Sequence, residues 1–135
     1  MFEQAIFEYI KNNFALTGNI CSFGFGEVNE SVQSPYIIQY SLNASGDAQF
    51  LCEENNFESG EAFIQWTIYD NSFSNAFFLK HELMKFIGQL KTITLNSTTY
   101  LVQLNKAESS PSGVSLDNGL AAEVVTRSFT YKKEV

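Results

Sequence analysis

The chain has 135 residues, of which 44% are hydrophobic and 15% aromatic, and its formal net charge is −7. This length suits one domain with its own hydrophobic core, and this composition excludes a disordered chain. The negative charge argues against a surface that grips nucleic acid by neutralising its phosphates.

The first part of the chain predicts a helix, a loop and a strand. In residues 2–14, Phe2, Ile6 and Ile10 gather on one helical face, and Gly18 provides a left-handed end for the helix. Residues 20–34 are interpreted as a loop with one short extended piece. After Pro35, residues 36–43 predict a strand, because the apolar positions 36, 38, 40 and 42 share one face and the polar positions 39 and 41 mark the other. Residues 44–47 predict a turn, and residues 49–52 are a candidate returning strand.

Residues 61–90 predict the central unit of the fold, a strand that runs through a short turn into a long helix. Ile64, Trp66 and Ile68 alternate with polar residues, the period of two expected of a strand with one buried face. The residues that follow repeat at helical spacing, which predicts a helix covering the sheet. The predicted core stripe of that helix is Leu79, Leu83, Phe86, Ile87 and Leu90.

The last third predicts a hairpin, a loop and a final long strand. Residues 93–107 read as two strands around the turn Asn96-Ser97, residues 108–119 as a Ser, Gly and Pro loop, and residues 120–131 as the last strand. That strand mixes charged and apolar side chains on one face, which fits either a face that meets another subunit or an ordinary edge strand. The prediction is an α+β fold in one domain, residues 1–135. It has one mixed or antiparallel sheet of about four to six strands, and the N-terminal helix and a second long helix pack on it.

No recognised chemistry follows from the residue types. One histidine, His81, and two distant cysteines, Cys21 and Cys52, form no catalytic or metal-ligand spacing, and both thiols are predicted to be free. Gly24 and Gly26 lack the third glycine and the lysine of phosphate loops. No catalytic residue, metal or cofactor is predicted. The chain has no apolar run of about 18 residues and no signal-peptide pattern, so it is predicted to be cytosolic when made and to have no membrane partner.

An assembly surface is predicted on the second helix. A helical wheel places Phe77 and Met84 about 150° from the core stripe, with His81 beside them. A solvated helix needs no such side chains, so this flank is predicted to face a second layer or a neighbouring subunit. The alternative is that the N-terminal helix covers it through Phe7 and Phe14.

The order of these parts resembles the tail terminator and tail-to-head joining proteins of long-tailed bacteriophages. The resemblance rests on an N-terminal helix, a loop ending at Pro35 before a strand, a strand joined to a long helix through residues 70–74, a hairpin, a loop ending in Asp117-Asn118-Gly119 and a final long strand. It covers the whole chain but includes no invariant motif.

The resemblance implies a structural role without enzymatic activity. Such proteins form a ring, commonly hexameric, that ends tail-tube polymerisation or joins the tube to the head, while DNA passes through the ring without sequence-specific binding. The implied partners are other copies of the chain, the tail-tube protein and the head connector. A ring needs two different patches on each subunit. The nominated interface residues are Phe77, His81, Met84, Glu123, Val125, Arg127, Phe129 and Tyr131.

Two loops are implied, by position, to contact the neighbouring ring. They contain Ala44, Ser45, Gly46 and Asp47 in the first loop and Ser110, Pro111, Ser112 and Gly113 in the second. A different reading is a small-molecule or peptide-binding α+β module, in which Trp66 lines a pocket with Gln65 and Thr67 nearby. A cysteine-dependent hydrolase that uses Cys21 or Cys52 is a third reading.

Overall fold

The computed structural model describes residues 2–15, 22–26, 35–44, 59–107, 114–115 and 119–134. It has an N-terminal helix, a second helix and a mixed sheet curled into a half-barrel, which confirms the predicted α+β fold. The elements are α1 (Phe2–Ile10), a π-helical turn (Lys11–Ala15), β1 (Ser22–Phe25), β2 (Tyr36–Ala44), β3 (Ser59–Asp70), α2 (Phe73–Gly88), β4 (Thr92–Leu95), β5 (Thr98–Ala107), β6 (Val114–Ser115) and β7 (Ala121–Lys133).

The strand order is β1-β2-β3-β7-β5-β4, and the two-residue β6 pairs with β7 off this path. Only the β1–β2 pair is parallel among the described strands, which makes the sheet mixed. The last strand in sequence is a central strand, since β7 pairs with β3 over residues 121–132 and with β5 over residues 127–133. The four-residue β1 is the short extended piece expected in residues 20–34.

Both helices pack on one face of the sheet. The predicted inward residues of β3, Ile64, Trp66 and Ile68, are fully buried, and so are Leu83 and Ile87 of α2. Each such side chain contributes about 1.5–3 kcal/mol of burial free energy. The buried face of β3 and the core stripe of α2 therefore meet in the core. Phe86, the remaining stripe residue, is half-buried and packs against the edge of that core.

The junction between β3 and α2 is held by hydrogen bonds that its sequence supplies. The hydroxyl oxygen of Ser72 accepts a hydrogen bond from the backbone N–H of Asn75 at 3.2 Å, which caps the first turn of the helix. The carboxylate of Asp70 accepts hydrogen bonds from the backbone N–H of Ser72 and from the side-chain amide of Asn75. These contacts fix the direction in which α2 leaves the sheet and hence the orientation of its outer face.

Candidate assembly surface

The first two turns of α2 carry three exposed phenylalanines. Phe73 and Phe77 are each 47% exposed, and Phe78 is 57% exposed. The ring of Phe77 contacts the exposed His81 edge-on, with ring centroids 4.4 Å apart. Met84, predicted to lie with Phe77, is half-buried and packs against the core. We call Phe73, Phe77, Phe78 and His81 the α2 aromatic surface.

The N-terminal helix does not cover this surface in the manner of the alternative prediction. Phe14, in the π-helical turn, contacts Phe86 at 5.5 Å between ring centroids, and Phe7 stacks on Phe23 at 4.8 Å. Phe86 and Phe77 are nine residues apart, so they point to opposite sides of α2. The side that Phe86 presents meets α1 and its π-helical turn, and the side that carries Phe77 remains exposed.

The second nominated patch, on β7, is wrong. Glu123, Val125 and Phe129 are fully buried, while Tyr131 is 3% and Arg127 4% exposed within the single chain. These side chains have no surface left for another subunit. The physical reason is that β7 lies between β3 and β5, with its nominated face under the helices, so the edge-strand reading is wrong as well.

The apolar members of this face complete the core. Phe2 of α1 stacks on Tyr131 with ring centroids 4.3 Å apart and interplanar angle 3°. Phe129 meets the ring of Trp66 edge-on at 6.1 Å. Aromatic pairs of this geometry add about 0.5–1.5 kcal/mol beyond their buried area. Much of the chain's high aromatic content is thus used inside one subunit.

The charged members are satisfied inside the chain. The ammonium group of Lys80 on α2 lies 3.3 Å from the carboxylate of Glu123, and their side chains are 8% and 0% exposed. The guanidinium of Arg127 donates a hydrogen bond to the backbone carbonyl of Thr126 at 2.7 Å. Lys80 was not predicted to be a core residue. The sequence signal that could have indicated it is Glu123, a glutamate among the apolar residues of a strand. A buried carboxylate requires a buried partner of opposite charge.

Trp66, the residue nominated to line a binding pocket, is held in the core by hydrogen bonding. Its indole N–H donates a hydrogen bond to the side-chain oxygen of Gln39 at 2.9 Å, and the Gln39 amide donates to the backbone carbonyl of Glu3 at 3.1 Å. Trp66 and Gln39 are both fully buried. Gln65 and Thr67 lie on the opposite face and hydrogen-bond to each other at 3.1 Å. The polar groups that the ligand-binding reading would use are therefore already paired.

The face of the sheet away from the helices carries a tyrosine group on β2 and β3. Tyr36 and Tyr69 stack with ring centroids 4.8 Å apart. Burial raises the pKa of Tyr69 above its ordinary value, and neighbouring Tyr40 and Tyr36 raise it further. The pKa of Tyr36 is raised by burial and then by Tyr40. These rings pack together as a structural unit on this face of the sheet.

Several predicted residues lie outside the described part of the chain. These are both cysteines, the acidic residues around position 54, and the loop residues 45–47 and 110–113. Ala44 ends β2. No group of three or more His, Cys, Asp or Glu side chains in the described ranges could hold a metal ion. Among those same residues, no helix is long and apolar enough to cross a membrane.

No protein-family model matches the chain, and no curated protein matches it.

Proposed function

We propose that this chain is a structural virion protein without enzymatic activity, a subunit of a ring at the head-proximal end of a long phage tail. The ring is hexameric, ends polymerisation of the tail tube or joins the tube to the head, and lets DNA pass through its centre. Its partners are further copies of the chain, the tail-tube protein and the head connector. It is assembled in the host bacterial cell and remains in the neck of the virion.

The observation that carries this proposal is the α2 aromatic surface. Large apolar side chains that remain exposed together mark interaction sites in soluble proteins. Here three phenylalanines are about half exposed on two adjacent helical turns, while the core beneath them is filled by Ala76, Leu79 and Leu83. They are therefore not needed by the fold, and a partner protein supplies the reason for keeping them.

Charge and topology support the same function. Six copies at −7 each carry a formal charge of six times −7, or −42, and like charge discourages DNA from adhering inside a ring. The described elements follow the order on which the resemblance rests, from an N-terminal helix through a strand-to-helix unit to a final long strand.

The test is the assembly state of the purified chain, alone and mixed with tail tubes of the same phage. Solution mass and negative-stain images are expected to show rings with a central hole, free or at tube ends. Phe77→Asp is expected to abolish them while far-ultraviolet circular dichroism stays unchanged. The matched control is Gln103→Asp, an acid at an exposed position on β5. If Phe77→Asp still forms rings, the α2 aromatic surface is not part of the interface. If the unsubstituted chain forms no rings even on tail tubes, the proposed function is refuted.

A further inference from the structure

Aromatic side chains extend across the helical layer from one side of the molecule to the other. At one side, Phe25 at the end of β1 meets Phe7 edge-on, with ring centroids 5.2 Å apart. Phe7 and Tyr9 are two residues apart on α1, so they point to nearly opposite sides of that helix. Tyr9 contacts Phe86 of α2 at 5.8 Å. On the far side of α2, 180° from Phe86, lies Phe77.

The two ends of this series are both exposed. Phe25 is 44% exposed and Phe77 is 47% exposed, and the rings between them are buried or half-buried. In the described part of the chain, the large hydrophobic side chains that remain exposed outside α2 are Phe25 and Leu101. Phe25 lies in the same layer as the α2 aromatic surface, on the opposite side. Exposed aromatic side chains therefore lie at both ends of the layer, and the ends differ because α2 carries three phenylalanines and β1 carries Phe25 alone.

We infer that the α2 aromatic surface of one copy docks on Phe25 and the adjoining edge of β1 in the next copy, head to tail. This rests on the proposed function and names the second patch that a ring requires. Two different patches on one subunit generate a heterologous contact, and repetition of such a contact closes a ring when the rotation allows. An isologous pair would use one patch twice and leave the other exposed.

The available area favours a second copy within a closed ring over a simple dimer. A phenylalanine buries about 200 Å² when fully covered, so three that are half exposed offer roughly 300 Å². A stable pair buries about 800 Å² on each partner. The patch is too small to hold two copies together at high dilution. In a ring each copy makes this contact twice, at Phe25 and at Phe77, and all contacts must break for one copy to leave.

The test is directional thiol cross-linking with a short bismaleimide, performed on the full chain with and without tail tubes. Cys21 and Cys52 are first replaced by serine, and cysteines are then placed by Phe25→Cys and Phe77→Cys. The variant carrying both substitutions is expected to give a ladder of covalent oligomers that ends at the ring size. Each single variant is expected to stay monomeric in denaturing gels. An equal mixture of the two single variants is expected to give covalent dimers and nothing larger.

A second measurement uses charge instead of a cross-linker. Phe25→Asp and Phe77→Asp are each expected to remain monomeric by sedimentation. Mixed in equal amounts they are expected to form no rings, and to form dimers only at high protein concentration, because each pair retains one intact contact and that contact alone is weak. Gln103→Cys is the cross-linking control and is expected to give no ladder.

The outcomes separate the two proposals. Covalent dimers from Phe77→Cys alone would overturn the head-to-tail contact in favour of an isologous one. Normal rings from Phe25→Asp would overturn the role of Phe25 while leaving the ring function intact. Failure of the unsubstituted chain to assemble even on tail tubes would overturn both.

Discussion

Removing one charge from the buried pair between α2 and β7 is expected to destabilise the chain strongly. At an effective dielectric constant of about 20, opposite unit charges 3.3 Å apart attract by about 5 kcal/mol, and desolvation offsets most of that gain. Lys80→Met leaves Glu123 buried without this partner, and Glu123→Leu does the same to Lys80. Each single substitution is expected to cost about 3–5 kcal/mol of unfolding free energy, a fall in Tm on the order of 10 °C.

The assay is urea unfolding followed by the fluorescence of Trp66, the only tryptophan and a fully buried one. The double variant Lys80→Met with Glu123→Leu is expected to lie within about 2 kcal/mol of the unsubstituted chain, because no unpaired charge remains. Lys85→Met, at an exposed position on the same helix, is expected to change stability by less than about 0.5 kcal/mol. If the costs of the two single substitutions simply add in the double variant, the pair is not coupled and this reasoning is refuted.

Three further expectations concern other parts of the fold. Gln39→Leu removes the acceptor of the Trp66 indole N–H and the donor to Glu3, so it should cost about 1–3 kcal/mol in the same urea assay; no loss would mean the buried polar link is not needed. Ser97→Gly should stabilise the chain by about 0.5–1 kcal/mol, because Ser97 has φ of 69° in the β4–β5 turn; a lower Tm would contradict this. The pKa of Tyr69 is raised above its ordinary value of 10.0 when folded, chiefly by burial. Its contribution to stability is therefore complete below pH 10 and is lost as pH rises through the folded pKa. A phenolate absorbance titration, compared with that of Tyr69→Phe, should show Tyr69 ionising at a higher pH in the folded chain than in the chain unfolded in urea. If Tyr69 ionised at the same pH in both states, the assignment would be contradicted.

The parts of the fold predicted well are those whose periodicity is local. The alternation of Ile64, Trp66 and Ile68 and the stripe containing Leu79 and Leu83 each report which face of one element is buried. Periodicity of this kind depends only on the geometry of a single strand or helix. The position of Phe77 away from the core stripe could be derived in the same way, and its exposure follows from the side of α2 on which α1 packs.

The order of strands could not be read from local patterns, and this is why the β7 prediction failed. Glu123 and Arg127 break the apolar alternation, which made β7 resemble an edge or interface strand. The structure instead places β7 between β3 and β5 and pairs Glu123 with Lys80 from α2. Lys80 lies beside the core stripe on the helical wheel, where a long stem can pack on apolar neighbours while the ammonium group reaches the sheet. Only the three-dimensional register of helix on sheet brings the two charges together.

The most direct measurement of the central claim is the position of this protein on assembled tails. The chain is labelled at an exposed residue away from both aromatic patches, such as Gln103→Cys coupled to a gold particle in the Cys21→Ser, Cys52→Ser background. It is then added to growing tail tubes and imaged. Gold is expected at one end of each tube only, and labelled tubes are expected to stop growing. Gold along the shaft, or tubes that lengthen regardless, would contradict the central claim.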